Sequence, residues 1–304
     1  MSSTTSSSSL PFEDEPALRE ALSDALGASL RSATPVSGGC IAHATRLDTE
    51  AGPFFLKWGR GAVARAFAGE AAGLQALATP DTPLQIPEVV ETQPESGTQP
   101  GFLLMEWIET ASPSSSFDAD LGAALAVLHQ HTAERYGFSV DNHIGRLPQP
   151  NPRQRDWPAF FRTQRIRPQV ERARASDRWR ASWDAPLSQL LSRLETDLPS
   201  APPASLVHGD LWRGNVMASA SGAPALVDPA VYYGHREIDL AMTDLFGGFR
   251  DAFMDAYQAT WPTSSGYAHR ASIYNLYHLI NHLNHFGGTY AQRVQETLRR
   301  VAHA

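Results

Sequence analysis

The sequence predicts an α+β protein of two lobes, a small one rich in antiparallel strands and a larger one that is mainly helical. Two observations predict this class. Short β-like runs separated by turn residues fill much of the first hundred of the 304 residues, whereas apolar residues at helical spacing dominate beyond residue 116. A Ser/Pro-rich stretch at 110–116 lies between the two parts and is expected to be a linker. A cleft between two such lobes is the expected place for a ligand site.

The small lobe is expected to span residues 12–109, after a disordered tail at 1–11 whose residues 2–9 are all Ser or Thr. The pattern predicts a first helix and then the order β-β-β-α-β-β. The predicted helices are 16–30 and 62–78, and the predicted strands are 33–36, 41–47, 54–58, 89–91 and 102–105. Because turn residues fill 37–40 and 48–53, the first three strands are expected to form an antiparallel meander.

The large lobe is expected to span residues 110–304. Helices are predicted around Leu121, Leu125 and Leu128, and over 156–180, 184–197, 236–260 and 268–286. Two non-helical islands, 206–217 and 225–233, interrupt this half, and no internal repeat is visible.

Composition excludes several classes of protein. The chain has 25 basic and 32 acidic residues, a net charge of −7, which argues against a nucleic-acid partner. A single cysteine, Cys40, cannot form an internal disulfide, so a reducing, cytoplasmic location is expected. No apolar run approaches the roughly 18–20 residues of a membrane span, and the N-terminus lacks the pattern of a secretory signal.

The strongest chemical signal lies in the two islands of the helical half. Asp210 is followed five residues later by Asn215, between apolar runs, and Asp228 ends the apolar run 225–227. This order suits phosphoryl transfer, because one carboxylate can accept a hydroxyl proton while an amide oxygen and a second carboxylate hold Mg²⁺ on the phosphates. Either island alone is equally compatible with a structural role. The two together favour catalysis.

The small lobe contains the residues that would bind the phosphates of a phosphoryl donor. Gly38 and Gly39 lie in a small-residue turn whose backbone could cover phosphates, although two adjacent glycines more often make an ordinary hairpin. Lys57, the only lysine among the 25 basic residues, lies at the end of the third predicted strand, and Glu70 lies on the following helix. A Lys57–Glu70 pair would aim the ammonium at the α- and β-phosphates, whereas most Lys–Glu pairs are surface ion pairs of little consequence.

These segments resemble the fructosamine (ketosamine) kinase family, a branch of the protein-kinase-like and aminoglycoside-phosphotransferase-like fold. The resemblance extends from about residue 12 onward. It rests on 208–215 (HGDLWRGN), 228–237 (DPAVYYGHRE), 246–249 (FGGF), 281–287 (NHLNHFG), 38–41 (GGCI) and 52–57 (GPFFLK). The loop that contains Asp210 and Trp212 is its most specific part.

The resemblance implies ATP-dependent phosphorylation of a sugar hydroxyl on a ketosamine, free or protein-bound, after which the adduct decomposes and the amine is released. Asp210 would be the general base, and ATP and Mg²⁺ would be required. The other roles that it implies are Asn215 and Asp228 for magnesium, Lys57 and Glu70 for the phosphates, and Met105 with the backbone of Glu106, Trp107 and Ile108 for adenine. A monomer or a homodimer is compatible with it.

Several alternatives stay open at this stage. Trp212, with His208, could contact the sugar, or Trp212 could be a core aromatic residue; Cys40 could be a redox switch or a free thiol. His278, His282 and His285 have the spacing of metal ligands or of a packed polar helix face. Nine arginines between 153 and 180 could attract an anion or form a solvated face. Asp239 is expected to brace a loop. Two competing functions are a kinase of another hydroxylated amine, such as an aminoglycoside, and a nucleotide-binding protein without catalytic activity.

Overall fold

The structure is a computed structural model that describes residues 11–36 and 42–303. The chain divides into two compact units. The sheet unit comprises the residues up to Ala71 together with Pro87–Ile108, and the helical unit comprises Ala72–Ile86 together with the chain from Glu109 onward.

The sheet unit is a five-stranded antiparallel sheet with the strand order β1-β2-β3-β5-β4. Its strands are β1 (Leu30–Pro35), β2 (His43–Thr49), β3 (Gly52–Gly59), β4 (Val89–Gln93) and β5 (Gly101–Glu106). The meander predicted for the first three strands is confirmed, because β1 pairs with β2 and β2 pairs with β3, both antiparallel.

Helix α1 (Pro16–Leu26) precedes this sheet and is shorter than predicted. The predicted end at residue 30 is wrong because Gly27 adopts a left-handed conformation with φ of 57°, which ends the helix and allows Leu30 to start β1. Leu18 and Leu22 of α1 are buried in one cluster with Leu47, Leu56 and other apolar residues of the sheet. Burial of these side chains stabilises the unit.

The helical unit is built around the long helix α9. After α2 (Ala62–Leu77), which crosses from one unit to the other, its helices are α3 (Phe117–His129), α4 (Trp157–Phe160), α5 (Arg167–Ala175), α6 (Asp184–Asp197), α7 (Glu237–Phe246), α8 (Asp251–Thr260), α9 (Tyr267–Phe286) and α10 (Ala291–His303). Its strands are short: β6 (Thr132–Ala133), β7 (Asn142–Ile144), β8 (Leu147–Gln149), β9 (Ala204–Val207), β10 (Val216–Ala218), β11 (Pro224–Leu226) and β12 (Tyr232–Gly234).

Two helical predictions for this unit need correction, and one helix was not predicted. The segment 156–180 is not one α-helix, because a π-helical stretch, Phe161–Ile166, separates α4 from α5. The segment 236–260 is two helices, since Gly247 and Gly248 adopt positive φ values and end α7. Helix α10 was not predicted, although its buried residues Val294, Leu298 and Val301 have helical spacing.

The two predicted non-helical islands are strand–loop–strand segments. Strand β9 pairs with β12 and with β6, and β10 pairs with β11, all antiparallel. The loops that leave β9 and β11 carry the candidate catalytic acids. Within the described residues, none of the helices is long and apolar enough to cross a membrane.

Candidate active site

The loop between β9 and β10 brings Asp210 and Asn215 together, as their spacing predicts. A short 3₁₀ turn, Arg213–Asn215, folds the loop back on itself. The amide nitrogen of Asn215 donates to the backbone oxygen of Asp210 at 2.9 Å and to its carboxylate at 3.3 Å. It also lies 3.4 Å from the backbone oxygen of Asp228, so the three predicted residues form one cluster in the helical unit.

The loop of Asp210 and the turn of Asp228 are joined through their backbones. Val227 N–H donates to the backbone oxygen of Asn215 at 3.1 Å, and Ala230 N–H donates to the backbone oxygen of His208 at 2.8 Å. The approach is so close that a Cβ on Gly209, whose φ is +82°, would lie 2.1 Å from the Ala230 oxygen. Glycine is therefore required at this position.

Asp228 has an unusual backbone. Its φ of +54° is left-handed, a conformation that non-glycine residues adopt rarely. A strained residue persists only where its surroundings fix it, and such residues cluster at functional sites. The backbone bonds on both sides of Asp228 supply part of that constraint.

The electrostatics of the cluster suit a proton acceptor next to a cation site. Burial and the neighbouring Asp228 carboxylate raise the pKa of Asp210 to about 7, whereas the hydrogen bond from Asn215 acts in the opposite direction. Two carboxylates close together disfavour each other's ionised form. A cation bound there would lower the pKa of Asp210 again.

The donor set fits Mg²⁺. Because the amide nitrogen of Asn215 faces Asp210 and Asp228, its amide oxygen is turned the other way. An amide oxygen and carboxylates are the hard oxygen ligands that Mg²⁺ takes, together with phosphates and water.

Asp239, at the start of α7, braces the loop that contains Asp210. Its carboxylate accepts the backbone N–H groups of His208 at 2.7 Å and Gly209 at 2.8 Å, and the imidazole of His129 at 3.2 Å. Burial alone would raise the pKa of Asp239, but the His129 contact and the Gly209 N–H outweigh it and the pKa is lowered. The loop-bracing position expected for Asp239 is the one that it occupies.

His208 is fully buried and its ring bonds backbone groups. Its Nε2 donates to the Val227 oxygen at 3.0 Å, and its Nδ1 accepts from Asp210 N–H at 3.3 Å. Burial lowers the pKa of His208, so its ring is neutral. These bonds connect the two loops, and they leave the imidazole to bracing rather than to contact with a sugar.

Trp212 is the exposed aromatic residue of the loop. Its side chain is 42% exposed, and its ring covers Gly214, where a Cβ would lie 2.2 Å from the indole. The alternative that Trp212 is a core residue is wrong for this reason. Two residues after Asp210, it presents an apolar face to solvent.

In the sheet unit, Lys57 and Glu70 form the predicted pair. The Nζ of Lys57 lies 2.5 Å from a carboxylate oxygen of Glu70, and the two side chains are only 12% and 16% exposed. Exposed ion pairs typically contribute about 0–1 kcal/mol to the free energy of unfolding. The Lys57–Glu70 pair is largely buried, so it does not belong to that class of surface pair.

The remaining residues predicted to bind nucleotide also lie in the sheet unit. Met105 is buried on β5 opposite Phe55, and Glu106 N–H donates to the Glu88 oxygen. Trp107 packs near Phe55 and beneath the guanidinium of Arg46, and Ile108 is buried. Gly38, Gly39 and Cys40 lie outside the described residues.

The three histidines of α9 each have a different environment. His278 is buried, His282 packs at a tilt against the rings of Phe246 and Tyr290, and His285 contacts the backbone oxygen of Ile144. Within the described residues, no group of three or more His, Cys, Asp or Glu side chains could hold a metal ion. Because the three rings lie in separate environments, a packed polar helix face fits this segment better than a shared metal site.

Neither apolar periodicity nor motif spacing predicts the buried polar network that bonds the backbone just after Asp228. Its members are Asn142, Gln149, Asn151, Arg165 and Tyr277. A hint was available in the three amide residues within ten positions of one another, because buried amides need partners.

Comparison with known proteins places these features in one family. The sequence model of the fructosamine kinase family matches residues 15–304. A "Probable ketoamine kinase" of Enterococcus faecium is 41% identical over 87% of this chain and 93% of its own length. The "Ketosamine-3-kinase" of Mus musculus is 35% identical over 91% of this chain and 97% of its own.

Solved structures show the same fold. A candidate fructosamine-3-kinase from Thermobifida fusca has a TM-score of 0.84 at 29% identity and covers 94% of this chain and 98% of its own. An aminoglycoside phosphotransferase solved with AMP-PNP and hygromycin B has a TM-score of 0.63 at 15% identity, covering 94% of this chain and 98% of its own. The second likeness shows the fold alone, and the predicted α+β kinase-like architecture is confirmed.

Proposed function

The chain belongs to the fructosamine kinase family, and from that premise we propose that it phosphorylates a sugar hydroxyl of a ketosamine with ATP. The phosphorylated adduct would then decompose and release the amine, which is deglycation. The observation that carries the proposal is the cluster of Asp210, Asn215 and Asp228 in two backbone-joined loops. The cytoplasmic location expected from the single cysteine belongs to the same proposal.

Asp210 would accept the proton of the attacking hydroxyl. The amide nitrogen of Asn215 donates to one carboxylate oxygen of Asp210. This bond would orient the carboxylate toward the hydroxyl group of the substrate. General-base catalysis of this kind contributes roughly 10²–10⁴-fold to the rate. Most of the remaining catalysis of phosphoryl transfer comes from positioning and from stabilisation of charge.

Asn215 and Asp228 would hold the metal ion. When bound, Mg²⁺ would supply positive charge to the phosphates. The left-handed backbone of Asp228 and the hydrogen bonds of the Asn215 amide nitrogen support this assignment, because groups that are fixed before the reaction need little reorganisation during it.

Lys57 would orient the phosphates, with Glu70 setting its direction through the 2.5 Å contact. An ammonium is a compact point charge, whereas the planar fork of arginine has different reach and geometry. Met105 and the backbone of Glu106, Trp107 and Ile108 would receive the adenine. We accordingly assign nucleotide binding to the sheet unit and catalysis to the helical unit, which includes Ala72–Ile86 from within the range 12–109. Trp212 would form an apolar wall against the sugar.

The test is ADP release measured with a coupled assay on ribuloselysine, fructoselysine and an aminoglycoside, with the position of phosphorylation read by phosphorus NMR. We expect turnover on at least one of the two ketosamines and none on the aminoglycoside. Turnover on the aminoglycoside alone would replace the proposal with the competing kinase function, and no turnover on any of the three, with nucleotide still bound, would favour the nucleotide-binding protein without catalytic activity.

A further inference from the structure

Arg165 is a fully buried arginine without a carboxylate partner among the described residues. It lies in the π-helical stretch Phe161–Ile166. The i→i+5 repeat of a π-helix aligns Arg165 with Phe160, and its guanidinium lies 4.7 Å from that ring and 3.9 Å from the ring of Tyr232. Burying an arginine is costly unless its donors are used, and π-helical segments frequently mark functional sites.

Arg165 makes three hydrogen bonds, all to oxygen atoms, and its Nε has no hydrogen-bond partner among the described residues. Nη1 donates to the backbone oxygens of Pro150 at 2.8 Å and Gln164 at 3.0 Å, and Nη2 donates to the side-chain oxygen of Asn151 at 2.7 Å. Because arginine only donates, the amide of Asn151 must present its oxygen to it. The amide nitrogen of Asn151 is therefore turned toward the opposite side.

The direction set by Arg165 is passed on through two further amides. Asn151 Nδ2 donates to Asn142 Oδ1 at 3.0 Å, and Gln149 Nε2 donates to the same oxygen at 2.8 Å. Because the oxygen of Asn142 accepts both of these bonds, its amide nitrogen faces away from Asn151 and Gln149. Tyr277 O–H donates to Gln149 Oε1 at 2.5 Å, which fixes the second amide in the same sense.

This network, which we call the amide relay (Arg165, Asn151, Asn142 and Gln149), ends on the backbone just after Asp228. Asn142 Nδ2 donates to the Val231 oxygen at 2.7 Å, and Gln149 Nε2 donates to the Ala230 oxygen at 3.0 Å. The same Ala230 oxygen is the atom that leaves no room for a side chain on Gly209. The relay thus holds the segment that must stay in place for Asp228 to keep its left-handed backbone.

We propose that Arg165 is a positioning residue that, through the amide relay, fixes the Asp228 backbone and thereby sets the affinity of the site for its divalent cation. The inference rests on the proposed function, because that function assigns the cation to Asp228. Outer partners of metal ligands typically change metal affinity by about 10–100-fold when they are removed. Arg165 acts through two intervening amides, so the low end of that range is expected.

The sign of the effect separates positioning from simple electrostatics. By Coulomb's law alone, removing the positive charge of Arg165 would make the divalent cation bind more tightly. Loss of positioning makes it bind more weakly. A weaker cation affinity after the loss of Arg165 therefore reports on geometry.

The experiment titrates Mn²⁺, a paramagnetic substitute for Mg²⁺, into protein saturated with ADP and reads free Mn²⁺ by electron paramagnetic resonance. The variants are Arg165→Met, which removes charge and donors, and Arg165→Lys, which keeps a donor for Asn151. The matched control is Arg178→Met, since Arg178 donates to the Leu283 and Asn284 oxygens at the end of α9. Thermal unfolding of each variant is recorded alongside.

We expect Arg165→Met to weaken Mn²⁺ binding about tenfold, Arg165→Lys to lie closer to the wild type, and Arg178→Met to lower only the thermal stability. Unchanged or tighter binding in Arg165→Met would overturn the inference, as would an equal loss in all three variants, which would indicate general loosening. If Arg165→Met does not fold, Asn142→Ala decides, because it removes the last bond to Val231 and keeps Arg165; unchanged binding there overturns the inference.

The wild-type protein distinguishes failure of this inference from failure of the proposed metal site. If the wild type with ADP binds no Mn²⁺, the metal assignment of Asn215 and Asp228 fails and the inference falls with it. If the wild type binds Mn²⁺ and the relay variants bind it equally well, the metal site stands and the role of Arg165 is refuted.

Discussion

The two acid-bearing loops of the helical unit are held by two buried networks that end in opposite ways. The amide relay ends in N–H donors that take the backbone oxygens of Ala230 and Val231. Beside the other loop, the network ends in the Asp239 carboxylate, which takes the backbone N–H groups of His208 and Gly209. One loop is held by its carbonyls and the other by its amides.

The second network, which we call the imidazole relay, also begins at a buried arginine. Arg236 Nη1 donates to the Tyr257 hydroxyl at 2.9 Å, Tyr257 O–H donates to His129 Nδ1 at 2.8 Å, and His129 Nε2–H donates to Asp239. Because arginine cannot accept a hydrogen bond, the direction of each later bond, including the tautomer of His129, follows from it.

The comparison teaches how two aspartates of one unit acquire different properties. Asp239 receives three donors, and its pKa is lowered despite full burial. Asp210 has Asn215 as a donor to its carboxylate and Asp228 as a negative neighbour, and its pKa is raised to about 7. Saturation with donors produces a brace, whereas a carboxylate with few donors remains available for chemistry.

The largest effect is expected from Asp210→Asn, which tests the reactive side of the comparison. We expect turnover to fall by roughly 10²–10⁴-fold because the proposed general base is lost. Stability measured by urea should stay equal or rise slightly in the absence of metal, since repulsion with Asp228 is removed. ADP binding, measured by calorimetry, should survive. Retained turnover would show that Asp210 is not the base.

Asp239→Ala tests the bracing side. Removing the carboxylate leaves two buried N–H groups and His129 without their acceptor, so the free energy of unfolding should fall by about 3–5 kcal/mol. Urea denaturation measures it, with Asp210→Asn as the control that removes a charged carboxylate from the same unit. Equal stability changes in the two variants would erase the distinction between brace and base.

Gly209→Ala tests whether the two loops must touch. A Cβ would lie 2.1 Å from the Ala230 oxygen, whereas one on Gly222, also left-handed with φ of +87°, would meet nothing within 4 Å. Both changes incur backbone strain, but Gly209→Ala also forces the loops apart, so it should cost about 1–3 kcal/mol more than Gly222→Ala. Unfolding free energies of the pair give the difference, and equal values would mean that the loops tolerate separation.

Acidification should distinguish the two relays, because the imidazole relay contains a titratable group and the amide relay does not. Burial lowers the pKa of His129 below its usual 6.5, so the folded protein keeps it neutral while the unfolded chain takes up a proton. Its contribution to stability is therefore present above pH 6.5 and is lost as the pH falls below 6.5 toward the folded pKa.

His129→Gln removes this titration. Its unfolding free energy should depend less steeply on pH than that of the wild type, by up to about 1.4 kcal/mol per pH unit below 6.5. Urea denaturation at pH 7, 6 and 5 checks this. Identical slopes in the two proteins would show that His129 is not held neutral.

What the sequence could predict depends on the distance along the chain over which each feature is built. Asp210 and Asn215 lie five residues apart in one turn, so their spacing alone predicted that they meet. The bond from Asn142 to Val231 spans 89 residues, and isolated amides carry no periodicity from which such a partner can be inferred. The break between α7 and α8 depends on Gly247 and Gly248, whose positive φ values are a backbone property that apolar spacing does not reveal.

The smallest effect on stability is expected from Trp212, which belongs to neither relay. Because its side chain is 42% exposed, Trp212→Ala should change the free energy of unfolding by no more than about 0.5 kcal/mol. If its ring is a wall for the sugar, KM for the ketosamine should rise while KM for ATP stays constant, and Trp212→Phe should restore most of the loss. Equal increases in both KM values would mean that the residue shapes the loop as a whole, and would place Trp212 among the bracing residues instead.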